Sequence, residues 1–210
     1  MTEKNANPEM PMGYSPVPTG KLANVVTFLE MREKPAEKAI TAPSSFALRR
    51  LSSDDQAEYL RLFRVVGEYW MWVSALTMSS EKVDATLSNP ATEIYAMNDG
   101  TENVGLMQLD FSVANECEVV FFGLAASAIG QGVGRFMMNQ TIARAFARPI
   151  HRLWLHTCTF DHPGANMFYQ RSGFRPYKFM VEVHDDPRLS GIFPKTAAPH
   201  VPLIEPAAWQ

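Results

Sequence analysis

Residues 117–135 are the part of the sequence that most constrains the fold. Residues 119–124 form an apolar run, which predicts a buried strand. Gly130, Gly132 and Gly134 follow at every second position, and the apolar spacing behind them predicts a helix. At a helix N-terminus the backbone N–H groups lack intrahelical partners, the helix dipole is positive, and glycine leaves room for an anion. The stretch therefore predicts a phosphate cradle between a strand and a helix.

The spacing of the glycines argues against two common nucleotide motifs. A P-loop ends in Gly-Lys-Ser/Thr, whereas Gly134 is followed by Arg135 and Phe136. A dinucleotide-binding motif reads G-x-G-x-x-G directly after the first strand of a domain. Here the spacing is G-x-G-x-G, and more than a hundred residues precede it. A nucleotide-dependent oxidoreductase is therefore disfavoured.

The segment after the predicted helix carries a second distinctive pattern. Residues 153–159 predict a strand, and residues 163–172 predict a helix that is closed by Gly173. The sequence of residues 155–174, taken together with that of residues 129–134, resembles the GCN5-related N-acetyltransferase (GNAT) family.

The first motif behind this resemblance is the family's pyrophosphate motif, Arg/Gln-x-x-Gly-x-Gly/Ala. Gly132 and Gly134 match it, whereas Ile129 stands where Arg or Gln is usual. The expected phosphate contacts therefore come from backbone amides. The resemblance covers roughly residues 45–185 and is strongest over residues 118–174.

The second motif of the family reads Asn-x-x-Ala-x-x-x-Tyr, and the segment ends with Phe/Tyr-x-x-x-Gly-Phe. Ala165 and Tyr169 match the first pattern, and His162 replaces its asparagine. Tyr169, Gly173 and Phe174 match the second. The motif helix is thus expected directly after the strand that ends near residue 159.

The order of predicted elements indicates an α/β fold in which helices flank a mixed central sheet. A first strand at residues 46–51 is followed by two helices, and residues 93–111 predict a hairpin around an Asn-Asp-Gly turn. Residues 117–159 predict a parallel crossover. The order is β-α-α-β-β-β-α-β-α-β, which the GNAT resemblance also implies. Residues 22–31 are β-rich and predict an extra N-terminal strand.

Proline separates the ends of the chain from its centre. Of the 15 prolines, six lie in the first 45 residues and five in the last 24. We therefore expect an N-terminal arm over residues 1–44, a GNAT-like acetyltransferase domain over residues 45–185 and a Pro-rich C-terminal arm over residues 186–210. Apolar residues of this last arm, Phe193 among them, are expected to be exposed. They would cover a sheet edge or clasp a second subunit, so we expect a possible homodimer through the arms.

Composition narrows the range of partners and compartments. The net charge is −3 and no run of Lys or Arg suggests a nucleic-acid surface. No stretch of 18 apolar residues is present to span a membrane, and the N-terminus has no apolar run typical of a signal peptide. The two cysteines, Cys117 and Cys158, fall in predicted strands as buried free thiols. These features predict a cytoplasmic protein.

The resemblance implies that acetyl-CoA lies along two parallel strands that splay apart, here residues 117–124 and 153–159. Unpaired backbone groups of the first strand would pair with the pantetheine arm as an added strand does. The residues expected to bind the cofactor are Phe122, Leu124, Ala125, Ile129, Gly130, Gln131, Gly132, Val133, Gly134, Arg135, His162, Ala165, Phe168 and Tyr169.

Two residues are candidates for proton transfer. Glu118 is the candidate base that takes a proton from the attacking amine, and strand alternation places it on the same face as Phe122 and Leu124. Tyr169, at the family's tyrosine position, is the candidate acid that protonates the leaving thiolate. The structural alternatives are a salt-bridging glutamate at the start of a strand and a core aromatic side chain.

His156, Cys158 and His162 are metal-ligand types at close spacing. No Cys-x-x-Cys or His-Glu-x-x-His motif accompanies them, so the sequence predicts no metal site. Cys158 as an acyl-carrying nucleophile is a further alternative, although direct transfer needs no such residue. We expect His156 and Cys158 to line the floor of the cleft.

The acceptor amine is expected beside an aromatic cluster. Trp70 and Trp72 would form a wall of the acceptor pocket, because the helices of this region border the acceptor side in the family. Their alternative role is to pack the helices onto the sheet. Asp110 is a candidate to bind the acceptor ammonium, and His156 is expected nearby.

These patterns favour an N-acetyltransferase that moves an acetyl group from acetyl-CoA to a primary amine by direct attack on the thioester. The acceptor is expected to be a small molecule or a peptide, with no nucleic acid and no membrane as partner. The alternative is a catalytically silent acyl-CoA-binding regulatory domain. Such a domain would keep Gly132 and Gly134 without a need for Glu118 or Tyr169.

Overall fold

The computed structural model describes residues 7–36 and 45–205. Parts of the two predicted arms, residues 1–6, 37–44 and 206–210, lie outside the described residues. No helix within the described ranges has both the length and the apolar character needed to span a bilayer. The strands and α-helices are β1 Lys21–Met31, β2 Ala47–Arg50, α1 Gln56–Gly67, α2 Ser80–Ser88, β3 Thr92–Asn98, β4 Asn103–Asp110, β5 Glu116–Leu124, α3 Val133–Ala145, β6 Arg152–Cys158, α4 Ala165–Arg171 and β7 Arg175–Asp185.

The element order confirms the predicted mixed α/β fold with an extra N-terminal strand. The described strands form one sheet in the order β2-β3-β4-β5-β6-β1-β7, in which only β5 and β6 run parallel. The extra strand β1 lies inside this sheet, antiparallel to β6 on one side and to β7 on the other. Its interior position explains why Val26 and Leu29 are almost completely buried. The place of β1 in the sheet depends on its partner strands and their register, and the sequence alone does not reveal either.

Helices cover the sheet on both faces. On one face α1 and α2 pack through Tyr59, Phe63 and neighbouring apolar residues onto Leu106 of β4. On the other face α3 and α4 pack onto β5 and β6, with Met138 and Leu153 at the centre of that cluster. The sheet therefore separates two cores, and a gap between strands would connect the two sides.

Strand β5 contains a β-bulge that changes which residues share a face. The register between β4 and β5 shifts after Gln108, so that Val120 has no partner in β4. Glu118 consequently faces the α1 side, whereas Phe122 and Leu124 face α3. The prediction that these three side chains share one face is wrong, because a bulge inserts one residue and reverses the alternation beyond it.

The parallel pair β5–β6 is short. The two strands pair only from Glu116 and Arg152 to Val119 and Leu155. Beyond that point β5 continues for five more residues and β6 for three without pairing to each other. The two strands therefore splay apart, as the family resemblance implies.

The C-terminal arm folds back onto the domain. Arg188 and Asp186 form a salt bridge in which both side chains are 2% exposed, at an N–O distance of 2.7 Å. Arg188 also donates to the backbone oxygen of Val201 at 2.7 Å. Phe193 is buried in a small core with Leu22 of β1. The expectation that Phe193 is exposed is therefore wrong, because this clasp holds the arm against its own sheet.

Candidate active site

A cleft of about 840 Å³ passes through the gap between β5 and β6. Side chains from both faces of the sheet line it, so no bulky group of the described residues plugs the gap. We call its side near α3 and α4 the glycine half, lined by Leu124, Ile129, Gly134, Ala165, Phe168 and Tyr169. We call its other side the acidic half, lined by Asn24, Asp110, Glu118, His156 and Glu182.

The loop between β5 and α3 turns through two glycines in left-handed conformations. Gly130 has φ +86° and Gly132, the residue before α3, has φ +79°. Residues that carry a Cβ rarely adopt this backbone geometry, so glycine is required for the loop to enter the helix as it does. A Cβ on Gly134 would meet its nearest neighbours, in Leu124 and Phe168, at ordinary contact distances of 3.8 Å or more.

The amides of residues 130–135 are available to a ligand. No described residue accepts a hydrogen bond from any of these N–H groups. Loop amides next to the first turn of a helix bind anions, because the unpaired N–H groups and the helix dipole act together. The Gln131 side chain instead donates to the backbone oxygen of Ser127 at 2.8 Å, which ties the loop to itself.

The other predicted cofactor residues divide into two groups. Phe122 stacks on Phe168 with ring centroids 5.8 Å apart, and both line the cleft. Ala125 and Val133 are buried in the core, so only their backbone can reach a ligand. Arg135 is exposed on the first turn of α3.

Tyr169 lies at the junction of the core and the cleft. Its ring packs edge-on against Phe122 and Phe174, and its hydroxyl donates no hydrogen bond to a described residue. Burial raises the pKa of the Tyr169 hydroxyl well above its usual value. The residue therefore packs as the structural alternative requires, and it also presents a protonated hydroxyl to the cleft.

Glu118 and His156 form a close pair in the acidic half. His156 Nδ1 lies 3.7 Å from Glu118 Oε1 and is buried without a hydrogen-bond partner among the described residues. Burial raises the pKa of the Glu118 carboxyl, and the negative charge of Asp110 acts in the same direction. Burial lowers the pKa of the His156 imidazole. Both shifts favour the uncharged form of the group concerned.

The salt-bridging glutamate at the start of β5 is Glu116 and not Glu118. Arg152, at the start of β6, pairs with Glu30 at 2.7 Å and with Glu116 at 3.1 Å. No Lys or Arg among the described residues pairs with Glu118. Among the described residues, its carboxylate therefore has no cationic side chain of Lys or Arg as a partner.

Asp161 organises the end of β6 and was not predicted from the sequence. Its Oδ2 accepts hydrogen bonds from Thr157 Oγ1 at 2.7 Å and from the Cys158 amide at 2.9 Å. Its Oδ1 accepts from Trp72 Nε1 at 3.2 Å. An aspartate three residues after a strand and beside a helix start was the available signal, but its partner Trp72 is distant in sequence.

The two tryptophans differ in their surroundings. Trp72 packs against Gly123, where an added Cβ would lie 3.0 Å from the indole ring. Trp72 is therefore fixed between α1 and the sheet, although one side of it lines the cleft. Trp70 is edge-on to His162 and also contacts His200 of the C-terminal arm. Both tryptophans thus line the cleft, and Trp70 does so beside the C-terminal arm.

The remaining candidates have structural partners. His162 Nδ1 accepts a hydrogen bond from the Gly164 amide at 2.9 Å and so shapes the turn before α4. Burial raises the pKa of the Cys158 thiol to about 12, which keeps it protonated and disfavours its use as a nucleophile. No group of three metal-ligating side chains comes together within the described ranges.

Comparison with known proteins identifies the family. The family model "Acetyltransferase (GNAT) family" matches residues 55–174, more than half of the chain. The chain therefore belongs to the GNAT family of acetyltransferases. A search of the curated proteins found no match to the sequence.

Solved structures with a similar fold include GNAT proteins and acetyltransferases. A GCN5-related N-acetyltransferase from Sphaerobacter thermophilus superimposes with TM-score 0.57 and 15% identity over 88% of this chain and 55% of its own. This chain thus spans about half the length of that protein. An acetyltransferase from Thermus thermophilus gives TM-score 0.52 and 20% identity over 68% of this chain and 97% of its own. The PaiA N-acetyltransferase from Thermoplasma acidophilum, solved with coenzyme A, gives TM-score 0.50 and 16% identity over 68% of this chain and 99% of its own.

Proposed function

We propose that this protein is an N-acetyltransferase that moves an acetyl group from acetyl-CoA to a primary amine by direct attack on the thioester. One observation carries the proposal. The unpaired amides of residues 130–135 lie beside a pair of strands that splays open. Unpaired N–H groups suit the diphosphate of coenzyme A, and an open strand edge suits its amide-rich pantetheine arm. The fold that the chain shares with a protein solved with coenzyme A supports the same ligand class.

The glycine half offers a place for each part of the cofactor. The amides of residues 130–135 would bind the diphosphate, and Ile129 would contribute only apolar contact. The unpaired edge of β5 after Val119 would pair with the pantetheine amides. Phe122 and Phe168 would pack against the pantetheine arm of the cofactor. Bound in this way, the cofactor supplies an acetyl group already activated as a thioester.

The acidic half offers a base for the incoming amine. An alkylammonium ion must lose a proton before its nitrogen can attack a carbonyl carbon. Glu118 takes that proton, directly or through His156, whose Nδ1 lies 3.7 Å from the carboxylate. Because burial raises the pKa of Glu118, its carboxylate is a stronger base than an exposed glutamate.

The leaving group needs a proton of its own. Tyr169 reaches the cleft between the two halves and keeps its hydroxyl proton, because burial raises its pKa. It donates this proton to the departing thiolate as the carbon–sulfur bond breaks and the new amide forms. The proton taken up by Glu118 leaves to solvent, and the second proton that the nitrogen loses as the amide forms restores the Tyr169 hydroxyl.

Release of free thiol from acetyl-CoA with a panel of primary amines tests the proposal. We expect thiol release that depends on both substrates, together with a product whose mass has risen by one acetyl group. Binding of coenzyme A without thiol release from any amine would instead indicate the silent acyl-CoA-binding domain. Stabilisation against heat by NAD, with none by coenzyme A, would contradict both the acetyltransferase and the silent acyl-CoA-binding domain.

A further inference from the structure

A buried polar side chain in the acidic half lacks a hydrogen-bond partner for one of its atoms. Asn24 on β1 is 3% exposed, and its Nδ2 donates to Glu182 Oε2 on β7 at 3.2 Å. A carboxylate only accepts hydrogen bonds, so the amide must turn its NH₂ group to Glu182 and its Oδ1 elsewhere. No described residue donates to this Oδ1 in the wall of the cleft. Because a buried acceptor without a donor is destabilising, the position favours a ligand that donates a hydrogen bond.

The charge around Asn24 specifies the kind of donor. Glu182, Asp110 and Glu118 line the same half of the cleft, and none of them pairs with a Lys or Arg in the described part of the chain. Among the described residues that line the cleft, Arg171 on α4 is the only Lys or Arg, and α4 borders the glycine half. Carboxylates without a Lys or Arg partner among the described residues, beside an amide oxygen that receives no hydrogen bond from them, favour a cation that carries N–H groups.

Glu182 lies on the same face as the proposed base but at a distance from it. His156 beside Glu118 pairs with Phe28 on β1, and Asn24, four residues earlier on the same strand, pairs with Glu182. Adjacent strands are about 4.8 Å apart, so β5 and β7 are about 14 Å apart across the sheet, and the four residues from Phe28 to Asn24 add about 13 Å along the strands. The charge of Glu182 also opposes the lowering of the His156 pKa by burial, so the two sites interact electrostatically.

We propose that the acceptor is a linear amine with two positive charges, of which one nitrogen reacts beside Glu118 while the other is held by Asn24 Oδ1 and Glu182. This inference rests on the proposed acetyl transfer and specifies its substrate class. The distant nitrogen contributes binding but no chemistry. Glu182 and Asn24 are therefore specificity residues, and the length of the amine should matter as much as its charge.

Matched amines of equal length test the inference. Initial rates with acetyl-CoA are measured for 1,8-diaminooctane, for n-octylamine and for the shorter 1,3-diaminopropane. For the native protein we expect kcat/KM to be about tenfold higher for 1,8-diaminooctane than for either other amine, the size of one hydrogen bond to a charged group. In Glu182→Gln that preference should disappear, because the KM for 1,8-diaminooctane rises while the ratio of the rates for the diamine and n-octylamine falls to about one.

A neighbouring acid on the same strand provides the control. Asp185 is exposed, pairs with Lys21 and does not line the cleft, so Asp185→Asn should keep the preference. Glu182→Asp should restore part of it. Equal use of the diamine and the monoamine by the native protein, or an equal loss for both amines in Glu182→Gln, would overturn the inference while leaving acetyl transfer intact. Thiol release from none of the amines would overturn acetyl transfer itself.

Discussion

The two halves of the cleft are built in different ways. The glycine half comes from two short segments, residues 122–135 and 162–171, and it presents mainly backbone amides and apolar rings. The acidic half takes its side chains from five different strands and presents carboxylates, an imidazole and an amide oxygen. Backbone amides bind the diphosphate common to every coenzyme A thioester, whereas charged side chains select among acceptors. The comparison indicates that the cofactor site depends on loop geometry and that acceptor specificity depends on side-chain charge.

Replacement of Glu118, the proposed base in the acidic half, should give the largest fall in activity. In Glu118→Gln we expect kcat/KM for the amine to fall about 10³-fold, because general base catalysis is lost. Binding of coenzyme A, measured by calorimetry, should not change. In the native protein the rate should rise with pH through the raised pKa of Glu118, since only the carboxylate accepts a proton.

The pH profile separates a base from a structural glutamate. In the native protein the rate should fall at low pH with an apparent pKa above the usual range for glutamate. This fall should be absent in Glu118→Gln. A variant with the same acid limb as the native protein would assign that limb to another group and remove Glu118 from the mechanism.

The clasp of the C-terminal arm supports the acidic half from outside. Arg188→Met leaves the carboxylate of Asp186 buried without its partner, which should lower the free energy of unfolding by about 3–5 kcal/mol. Urea denaturation measures the change. Lys195→Met removes the exposed pair with Glu205 and should cost no more than about 1 kcal/mol. Equal effects in the two variants would mean that the buried pair does not hold the arm.

The tyrosine between the two halves should affect turnover more than binding. In Tyr169→Phe we expect kcat to fall about 10²-fold, because the leaving thiolate loses its proton donor. The affinity for coenzyme A should change little, since the ring and its contacts with Phe122 and Phe174 remain. Stopped-flow and steady-state measurements of thiol release check both values. An unchanged rate would leave Tyr169 as a core residue only.

A small change in the glycine half should affect only the cofactor. Gly134→Ala adds a methyl group whose nearest protein neighbours lie at ordinary contact distances, so the fold should be retained. The methyl group occupies the space above the helix end, and we expect the KM for acetyl-CoA to rise about tenfold through one weakened charged hydrogen bond. Ile129→Ala serves as the control, with little change expected. A KM that changes for the amine instead would contradict the division of the cleft.

The same contrast explains what the sequence could predict. The glycine loop and the α4 motif are local patterns, so the helix start, the splayed strands and the family followed from residues close together in the chain. The bulge at Val120 depends on how β5 pairs with β4, and the place of β1 depends on two partners more than a hundred residues away. For this reason Asn24, Asp161 and Glu182 were missed. A lone asparagine in the apolar run of β1 was the available signal for Asn24, and an aspartate between a strand end and a helix start was the signal for Asp161.

The central claim is that the amides of residues 130–135 hold the diphosphate of coenzyme A. Backbone amide chemical shifts of ¹⁵N-labelled protein, followed while coenzyme A is added, test it directly. The account predicts large shifts for Gly130, Gly132 and Gly134 that saturate together, with none on addition of NAD. Saturating binding of coenzyme A that leaves these three amides unchanged would contradict it.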